Sequence, residues 1–234
     1  SGEMSHPFLQ KSRSDKKAVI LITSNRGLAG GYNSNAVKLL TKDERFTTEN
    51  TVVYAVGTKG RDSVEREGYT IAGDYSEAIN EPLYADASEI GKEVLSKFTM
   101  GEIGEIYLIY TIFKNTMVQI PTMMKLLPID ASDITADAED VEENPIDRIT
   151  LMNYEPAPEE ALNAIIPKYI NSLIFGGLVE SHASENGARM QAMDSATSNA
   201  EEMISDLSLK YNRARQASIT QELTEIIAGA SAIS

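Results

Sequence analysis

The sequence has no cysteine and only two histidines, His6 and His182. The lack of cysteine excludes disulfides, thiol nucleophiles and cysteine-based metal sites. Two histidines leave few ligands for other metal chemistry, and we expect neither a metal nor a cofactor. Basic residues are also few, since 21 lysines and arginines stand against 35 acidic residues and the formal net charge is −14. Because nucleic-acid surfaces need clustered cations, this charge argues against a nucleic-acid partner.

Long apolar runs are missing as well. The nearest to one, from Leu173 to Val179, contains Gly176 and Gly177 and is far shorter than the roughly 18 residues of a membrane span. We therefore expect any membrane association to pass through a partner. The hydrophobic content of 42% is normal for a folded protein, and 234 residues allow one α/β domain and an extended element.

Proline is scarce in the last third of the chain. Between Pro158 and about Ala230 the only further proline is Pro167, in the third turn of the predicted helix. An unbroken helix of this size would be roughly 110 Å long. From residue 190 onward its apolar and small residues recur at alternating spacings of three and four, which indicates a coiled-coil seam. The seam residues are Met190, Met193, Thr197, Ala200, Ile204, Leu207, Tyr211 and Ala214.

This seam requires a second helix, because an apolar stripe left in water gains little stability. Beyond Ala214 the pattern changes, and an apolar stripe appears on a different face, from Ile219 to Ala230. Polar residues crowd the same turns: Arg213, Arg215, Gln216, Thr220, Gln221 and Glu222. The simplest interpretation of those polar residues is a solvated face. The displaced stripe instead predicts that the helix tip enters a sleeve that contacts it on all sides.

The first two thirds of the sequence predict an α/β domain. Three continuous apolar runs are typical of buried parallel strands, and helical or glycine-rich segments separate them. The predicted strands are 18–23, 51–56 and 106–113, with a short edge strand at 69–72, a hairpin strand at 117–120 that Pro121 ends, and a last strand at 146–154. The predicted helices begin at Asn33 or Ser34, at Thr58, and at a capping box that starts with Asp86.

The predicted fold class is therefore α/β, a Rossmann-like domain with a largely parallel sheet plus one very long C-terminal helix. The predicted domain boundaries are 1–15 for an N-terminal remnant, 16–155 for the α/β domain and 156–234 for the helix. An acidic stretch at 130–143 is expected to be a solvated loop, because it has almost no large apolar residue.

No stretch predicts catalysis. Gly27, Gly30 and Gly31 follow the first strand, but they match neither G-x-G-x-x-G nor a P-loop, so a structural turn is favoured over a nucleotide site. The acidic loop lacks the spacing and glycine of an EF-hand. His182 has no nucleophile placed beside it in the sequence, and a hydrogen-bonded, partly buried histidine is the favoured interpretation.

Three stretches carry a family pattern. They are Ile22 to Asn33 (ITSNRGLAGGYN), Ala183 to Asp194 (ASENGARMQAMD) and Tyr211 to Leu223 (YNRARQASITQEL). Together with the order of elements from His6 onward, they make the chain resemble the γ subunit of F-type rotary ATP synthases. Members of that family begin with a long helix that pairs antiparallel with the C-terminal one. The resemblance therefore implies that the seam is half of an antiparallel coiled coil, and that this sequence is a fragment lacking the N-terminal helix.

The resemblance also implies a function. The chain would be a central stalk that transmits torque between a membrane c-ring and a ring of three α and three β subunits, with ε as a further partner. It would perform no bond chemistry itself. Its setting would be the cytoplasmic face of a bacterial plasma membrane, attached only through the complex.

Site roles follow from the resemblance by matching motif. Polar residues near the tip would form a catch against the catalytic ring: Arg215, Gln216, Thr220 and Glu222. Glu185 and Arg189 would be stalk contacts that lie near the lower loops of that ring. Tyr154 and Glu155 would lie in the foot that faces the c-ring and ε. Two alternatives are a nucleotide-binding α/β enzyme with a coiled-coil dimerisation helix, and a coiled-coil scaffold.

Overall fold

The computed structural model describes residue 8, residues 14–129 and residues 158–233. Five strands are present in these ranges: β1 (Lys17–Ile22), β2 (Thr51–Val56), β3 (Thr70–Asp74), β4 (Glu105–Asn115) and β5 (Val118–Leu127). The helices are α1 (Tyr32–Thr41), α2 (Thr58–Arg66), α3 (Tyr84–Thr99) and α4 (Pro158–Ile233), with a 3₁₀ turn at Ser76–Ile79. The acidic loop at 130–143, the strand at 146–154 and the foot residues Tyr154 and Glu155 lie outside the described residues.

The five strands form one sheet in the order β3-β2-β1-β4-β5. β1 lies parallel to both β2 and β4, β3 lies parallel to β2, and only the β4–β5 hairpin is antiparallel. The predicted α/β class with a largely parallel sheet is confirmed. β3 is an edge strand, and the sequence predicted a short edge strand at 69–72.

Helices cover both faces of the sheet. Val19 and Leu21 of β1 pack with α1 and α2, in a core that includes Leu40. Ile20 and Ile22 point to the opposite face and pack in a second core with α3 and α4. Successive strand side chains alternate between faces, and here both faces are buried, so β1 reads as a continuous apolar run.

Two predicted helix starts are wrong. α1 begins at Tyr32, after Gly31, without a side-chain cap. The Asn33 side chain turns back instead and accepts a hydrogen bond from the Ser24 backbone N–H at 2.9 Å. α3 begins at Tyr84, and Asp86 lies within its first turn, where it accepts from the Leu83 N–H at 3.1 Å. In both cases an amide or carboxylate that could cap a helix satisfies an earlier backbone N–H.

The predicted end of the hairpin is also wrong. β5 continues through Pro121 to Leu127, with Thr111 opposite Pro121 and Ile106 opposite Leu127. β5 is an edge strand, and the missing N–H of proline is tolerated where it faces away from a neighbouring strand. The position of β5 at the edge of the sheet could not be read from its sequence.

α4 is one helix from Pro158 to Ile233 with Pro167 inside it, as predicted. An 18-residue stretch of α4 has a mean hydropathy of 1.3, so by length and composition alone this helix could cross a membrane, and 33% of that stretch is buried within the fold. The sequence contains no uninterrupted apolar run long enough to span a membrane, so this hydropathy qualifies the expectation drawn from it. Buried core helices of soluble proteins can have the same length and hydropathy. The chain divides into two compact units, Ser1–Gln191 and Ala192–Ser234, a division that falls inside α4. The domain boundaries predicted from the sequence stay a prediction.

Two helical glycines predict opposite effects on stability. A Cβ at Gly91 in α3 would overlap the Asn171 Oδ1 atom of α4, whereas a Cβ at Gly176 in α4 would meet nothing within 4 Å. We expect Gly91→Ala to lower the free energy of unfolding by about 1 kcal/mol, because the Asn171 side chain must move away from the added methyl group. Gly176→Ala should raise it by up to about 1 kcal/mol through helix propensity. Urea unfolding of both variants checks this, and an equal effect at the two sites would contradict the close approach of α3 to α4.

Candidate functional site

The crevice at the carboxyl end of β1 is the natural ligand site of this sheet. The chain goes from β1 to β2 on one side, while β4 pairs with β1 on the other side. In open α/β sheets ligands bind at this reversal of strand order. Here the loop at 24–31 follows β1, and α4 crosses the same edge. The Tyr32 hydroxyl donates to the Ser181 carbonyl at 3.0 Å, which joins the start of α1 to α4.

The loop at 24–31 folds on itself and packs on α4. Leu28 and Gly30 have positive φ values of 62° and 55°. The Ser24 hydroxyl donates to the Arg26 carbonyl at 2.6 Å. Ala29 is buried in a small cluster with Tyr32 and Ala188. The position of α4 in the crevice favours a structural turn over a phosphate-binding loop.

Glu185 and Arg189 meet at this loop. Glu185 is only 7% exposed, and its Oε1 lies 2.8 Å from the Arg189 guanidinium. The same guanidinium is 3.4 Å from the Gly27 carbonyl. A carboxylate this buried needs a paired cation, and Arg189 of the same helix supplies it. The contact of Arg189 with the Gly27 carbonyl links α4 to the loop. The structure thus brings together the two predicted stalk-contact residues, but their role as stalk contacts stays a prediction.

His182 lies on the adjacent side of α4, half-buried. Its Nδ1 atom is 2.9 Å from the Ile79 carbonyl, which ends the 3₁₀ turn. This is the hydrogen-bonded, partly buried histidine that the sequence favoured.

A second set of polar residues on α4 was not singled out from the sequence. Ser181 accepts from the Thr111 N–H at 3.1 Å, and Ser184 donates to the Thr111 carbonyl at 2.9 Å. The Glu180 carboxylate accepts from the Phe113 N–H at 2.7 Å. The available signal was two serines three residues apart on the helix face that also carries Ile174 and Leu178. That spacing alone does not reveal which backbone they meet.

The seam and the tip are exposed. All eight seam residues, from Met190 to Ala214, lie on the surface of the described chain, with Leu207 57% exposed and Tyr211 67% exposed. The four catch residues are also exposed: Arg215, Gln216, Thr220 and Glu222.

Among the described residues no group of three or more His, Asp or Glu side chains could hold a metal ion.

Tyr32 is the most perturbed titratable group near the crevice. Burial raises the pKa of its phenol well above 10, and the nearby Glu185 carboxylate raises it further. A raised folded-state pKa means that the neutral phenol is favoured. Its contribution to stability is therefore complete below about pH 10, the pKa in the unfolded chain, and falls as the pH rises above it.

Tyr32→Phe is expected to cost about 1 kcal/mol at pH 8, because the buried hydrogen bond from the hydroxyl to the Ser181 carbonyl is lost. Above pH 10 the wild type should lose up to about 1.4 kcal/mol more per pH unit than this variant, because the variant has no phenol to ionise. Urea unfolding at pH 8 and pH 11 measures both effects. Tyr169→Phe, at a tyrosine of α4 that is 48% exposed, is the matched control. Equal pH dependence in the two variants would contradict the assignment.

Two solved structures of mitochondrial ATP synthases contain a chain with a similar fold. The structure of Euglena gracilis mitochondrial ATP synthase, OSCP/F1/c-ring, contains a chain that matches with a TM-score of 0.65 and 20% identity, over 99% of this chain and 80% of that chain. The central stalk and c-ring structure of Tetrahymena thermophila mitochondrial ATP synthase gives a TM-score of 0.58 and 24% identity, over 82% of each chain. At these identities the likeness defines the fold: an α/β domain and long helix of the type found in ATP synthase stalks.

Sequence relatives define the family. The family model described as ATP synthase matches residues 1–233. The ATP synthase gamma chain of Lachnoclostridium phytofermentans is 65% identical over 100% of this chain and 79% of its own length. The sodium ion specific ATP synthase gamma chain of Acetobacterium woodii is 43% identical over 100% of this chain and 80% of its own length. The chain belongs to the ATP synthase gamma chain family.

Proposed function

We propose that this chain is the central rotor shaft of an F1Fo ATP synthase, where it transmits torque between the membrane c-ring and the catalytic α3β3 ring. The observation that carries the proposal is α4, a single helix from Pro158 to Ile233. Near Ser181 it is hydrogen-bonded to the sheet, and between residues 190 and 214 it bears an exposed heptad seam. A shaft needs a stiff element with such a seam, because paired helices resist bending better than one. The gamma chain family is the further support.

The seam is proposed to pair with a second, antiparallel helix of the complete shaft. The exposure of Leu207 and Tyr211 supports this, because side chains of that size in a heptad stripe gain stability only when buried. Arg215, Gln216, Thr220 and Glu222 are proposed as the catch that the catalytic ring contacts. Glu185 and Arg189 are proposed as stalk contacts near the lower loops of that ring. Tyr154 and Glu155 are proposed to lie in the foot that faces the c-ring and ε.

The chain is proposed to do no bond chemistry. The crevice that would hold a nucleotide in this fold is crossed by α4 at Ser181 and closed by the loop at 24–31. We expect calorimetry to detect no saturable, magnesium-dependent ATP binding to the chain by itself. Saturable binding would favour the alternative of a nucleotide-binding α/β enzyme. The proposed location is the cytoplasmic face of the bacterial plasma membrane, through the assembled complex.

The experiment that tests the rotor is direct. The complex is immobilised through its catalytic ring, and a bead is attached to an exposed position of the α/β domain such as Arg66 on α2. We expect ATP hydrolysis to turn the bead in steps. A chain that co-purifies with the α and β subunits but carries a stationary bead would refute the proposal. Self-association without those subunits would favour the scaffold.

A further inference from the structure

β4 extends farther than its parallel neighbour. β1 pairs with β4 from Lys17 opposite Glu105 to Leu21 opposite Ile109. β1 then ends at Ile22, whereas β4 continues to Asn115. Beyond Ile109, β4 has β5 on one side only. The backbone groups that point to the other side still need partners, because buried unpaired N–H and C=O groups are costly.

Side chains of α4 supply those partners. Ser181 accepts from the Thr111 N–H at 3.1 Å, and Ser184 donates to the Thr111 carbonyl at 2.9 Å. One step further along β4, Glu180 accepts from the Phe113 N–H at 2.7 Å. Both serines are 0% exposed and Thr111 is 2% exposed. One turn of α4 thus takes the position that a continued β1 would occupy beside β4.

These bonds differ in kind from the rest of the interface. Elsewhere α4 packs on the sheet through a row of aliphatic side chains: Ile166, Ile170, Ile174 and Leu178. Apolar burial is non-directional and tolerates small rotations of a helix about its axis. Hydrogen bonds are directional and weaken steeply when the angle or distance changes. A rotation of α4 by one residue, about 100°, would break all three.

Two glycines set the distance of α4 from β4 on either side of this turn. A Cβ at Gly177 would lie 3.1 Å from the Leu108 Cδ2 atom. A Cβ at Gly187 would lie 3.0 Å from the Phe113 Cε2 atom. Because neither glycine has a Cβ, α4 can lie close to β4 at both positions. Short side chains such as serine can therefore reach the strand backbone.

We propose that Glu180, Ser181 and Ser184 are positioning residues that fix the angular register of α4 on β4, so that torque passes between shaft and domain without slip. The proposal rests on the proposed rotor function. It assigns the transmission of torque within the chain to three polar side chains rather than to the larger apolar interface.

Two pairs of variants test this in the assembled complex. The first is the double variant Ser181→Ala with Ser184→Ala, against Ser172→Ala as control, since the exposed Ser172 hydroxyl donates to the Lys168 carbonyl of its own helix. The second is Glu180→Ala against Glu180→Gln, because the glutamine retains an oxygen that can accept from Phe113. The glutamate pair tests the proposal even where the double variant fails to assemble.

Two readouts are measured. The first is the rate of amide hydrogen exchange. We expect the rate at Thr111 to rise about tenfold in the Ser181/Ser184 double variant, and the rate at Phe113 to rise about tenfold in Glu180→Ala. The second is the angular fluctuation of a bead on the α/β domain with the catalytic ring and the α4 tip held fixed. We expect its variance to rise about twofold or more in these variants and to stay at the wild-type value in Ser172→Ala and Glu180→Gln.

The outcomes separate the two proposals. A wild-type complex that does not turn would refute the rotor itself. A wild type that turns, with variants whose exchange rises while bead variance is unchanged, would show a purely structural role and overturn the register proposal. Unchanged exchange would show that the hydrogen bonds do not hold in the complex, and would overturn it too.

Discussion

Gln216→Leu in the complete ATP synthase is expected to lower coupled ATP synthesis by about tenfold or more. In the proposed catch, an apolar side chain would leave its partner group on the catalytic ring desolvated and unpaired. That costs about 1–3 kcal/mol, and 1.4 kcal/mol corresponds to a factor of ten. Arg215→Ala is expected to act in the same direction, because charged hydrogen bonds are the stronger ones. ATP synthesis in membrane vesicles, normalised to the amount of assembled complex, measures both.

The α/β domain should remain folded in both variants. Gln216 and Arg215 lie in the unit Ala192–Ser234, outside the compact unit Ser1–Gln191. Arg66→Ala is the matched control for Arg215→Ala, because the exposed Arg66 side chain donates to Asp62 within its own helix. Unchanged ATP synthesis in both tip variants would refute the catch assignment, and a loss in the Arg66 variant would point to a general effect of removing an arginine.

Leu207→Glu is expected to prevent or strongly weaken pairing of the shaft helices. If Leu207 lies in the seam, a buried unpaired carboxylate at this site costs several kcal/mol, whereas the same charge on a solvated face costs little. Leu209 offers a matched control two residues away, because both leucines are 57% exposed in this chain. Two residues correspond to about 200° around a helix, so Leu209 points away from the seam.

The yield and thermal midpoint of the assembled complex distinguish the two leucines. We expect Leu207→Glu to lower the midpoint by several degrees or to abolish assembly, and Leu209→Glu to leave both near wild type. An equal loss of thermal midpoint or yield in both variants would show that α4 is contacted on all sides near residues 207–209. Wild-type behaviour of Leu207→Glu would refute the seam and the antiparallel partner with it.

The fold class was predictable because its signals are local. Buried parallel strands read as continuous apolar runs, and three of the five strands were found in this way: β1, β2 and β4. The long helix was predictable from the scarcity of proline and from the three-four spacing that ends at Ala214. The details of helix starts and of β5 were not. Asn33 and Asp86 each satisfy a different backbone group from the one their position suggested.

The candidate site was predictable only in part. The resemblance named Glu185 and Arg189, and the structure adds that they pair beside the Gly27 carbonyl. The hydrogen bonds from Ser181, Ser184 and Glu180 to β4 could not be predicted. They depend on β4 extending beyond the end of β1. How far one strand extends beyond the other is set by the register in which the two pair, and neither sequence segment reveals that register by itself.

The sequence by itself determined the α/β class, the long helix, the periodicity of its seam and the family motifs, because each depends on the order of residues within one segment. Only the tertiary structure decided that α4 crosses the crevice at the end of β1, that Tyr32 bonds to Ser181 there, and that one turn of α4 pairs with the free backbone of β4. Those outcomes depend on which distant backbone groups remain unpaired after the sheet forms, and that is a property of the assembled fold.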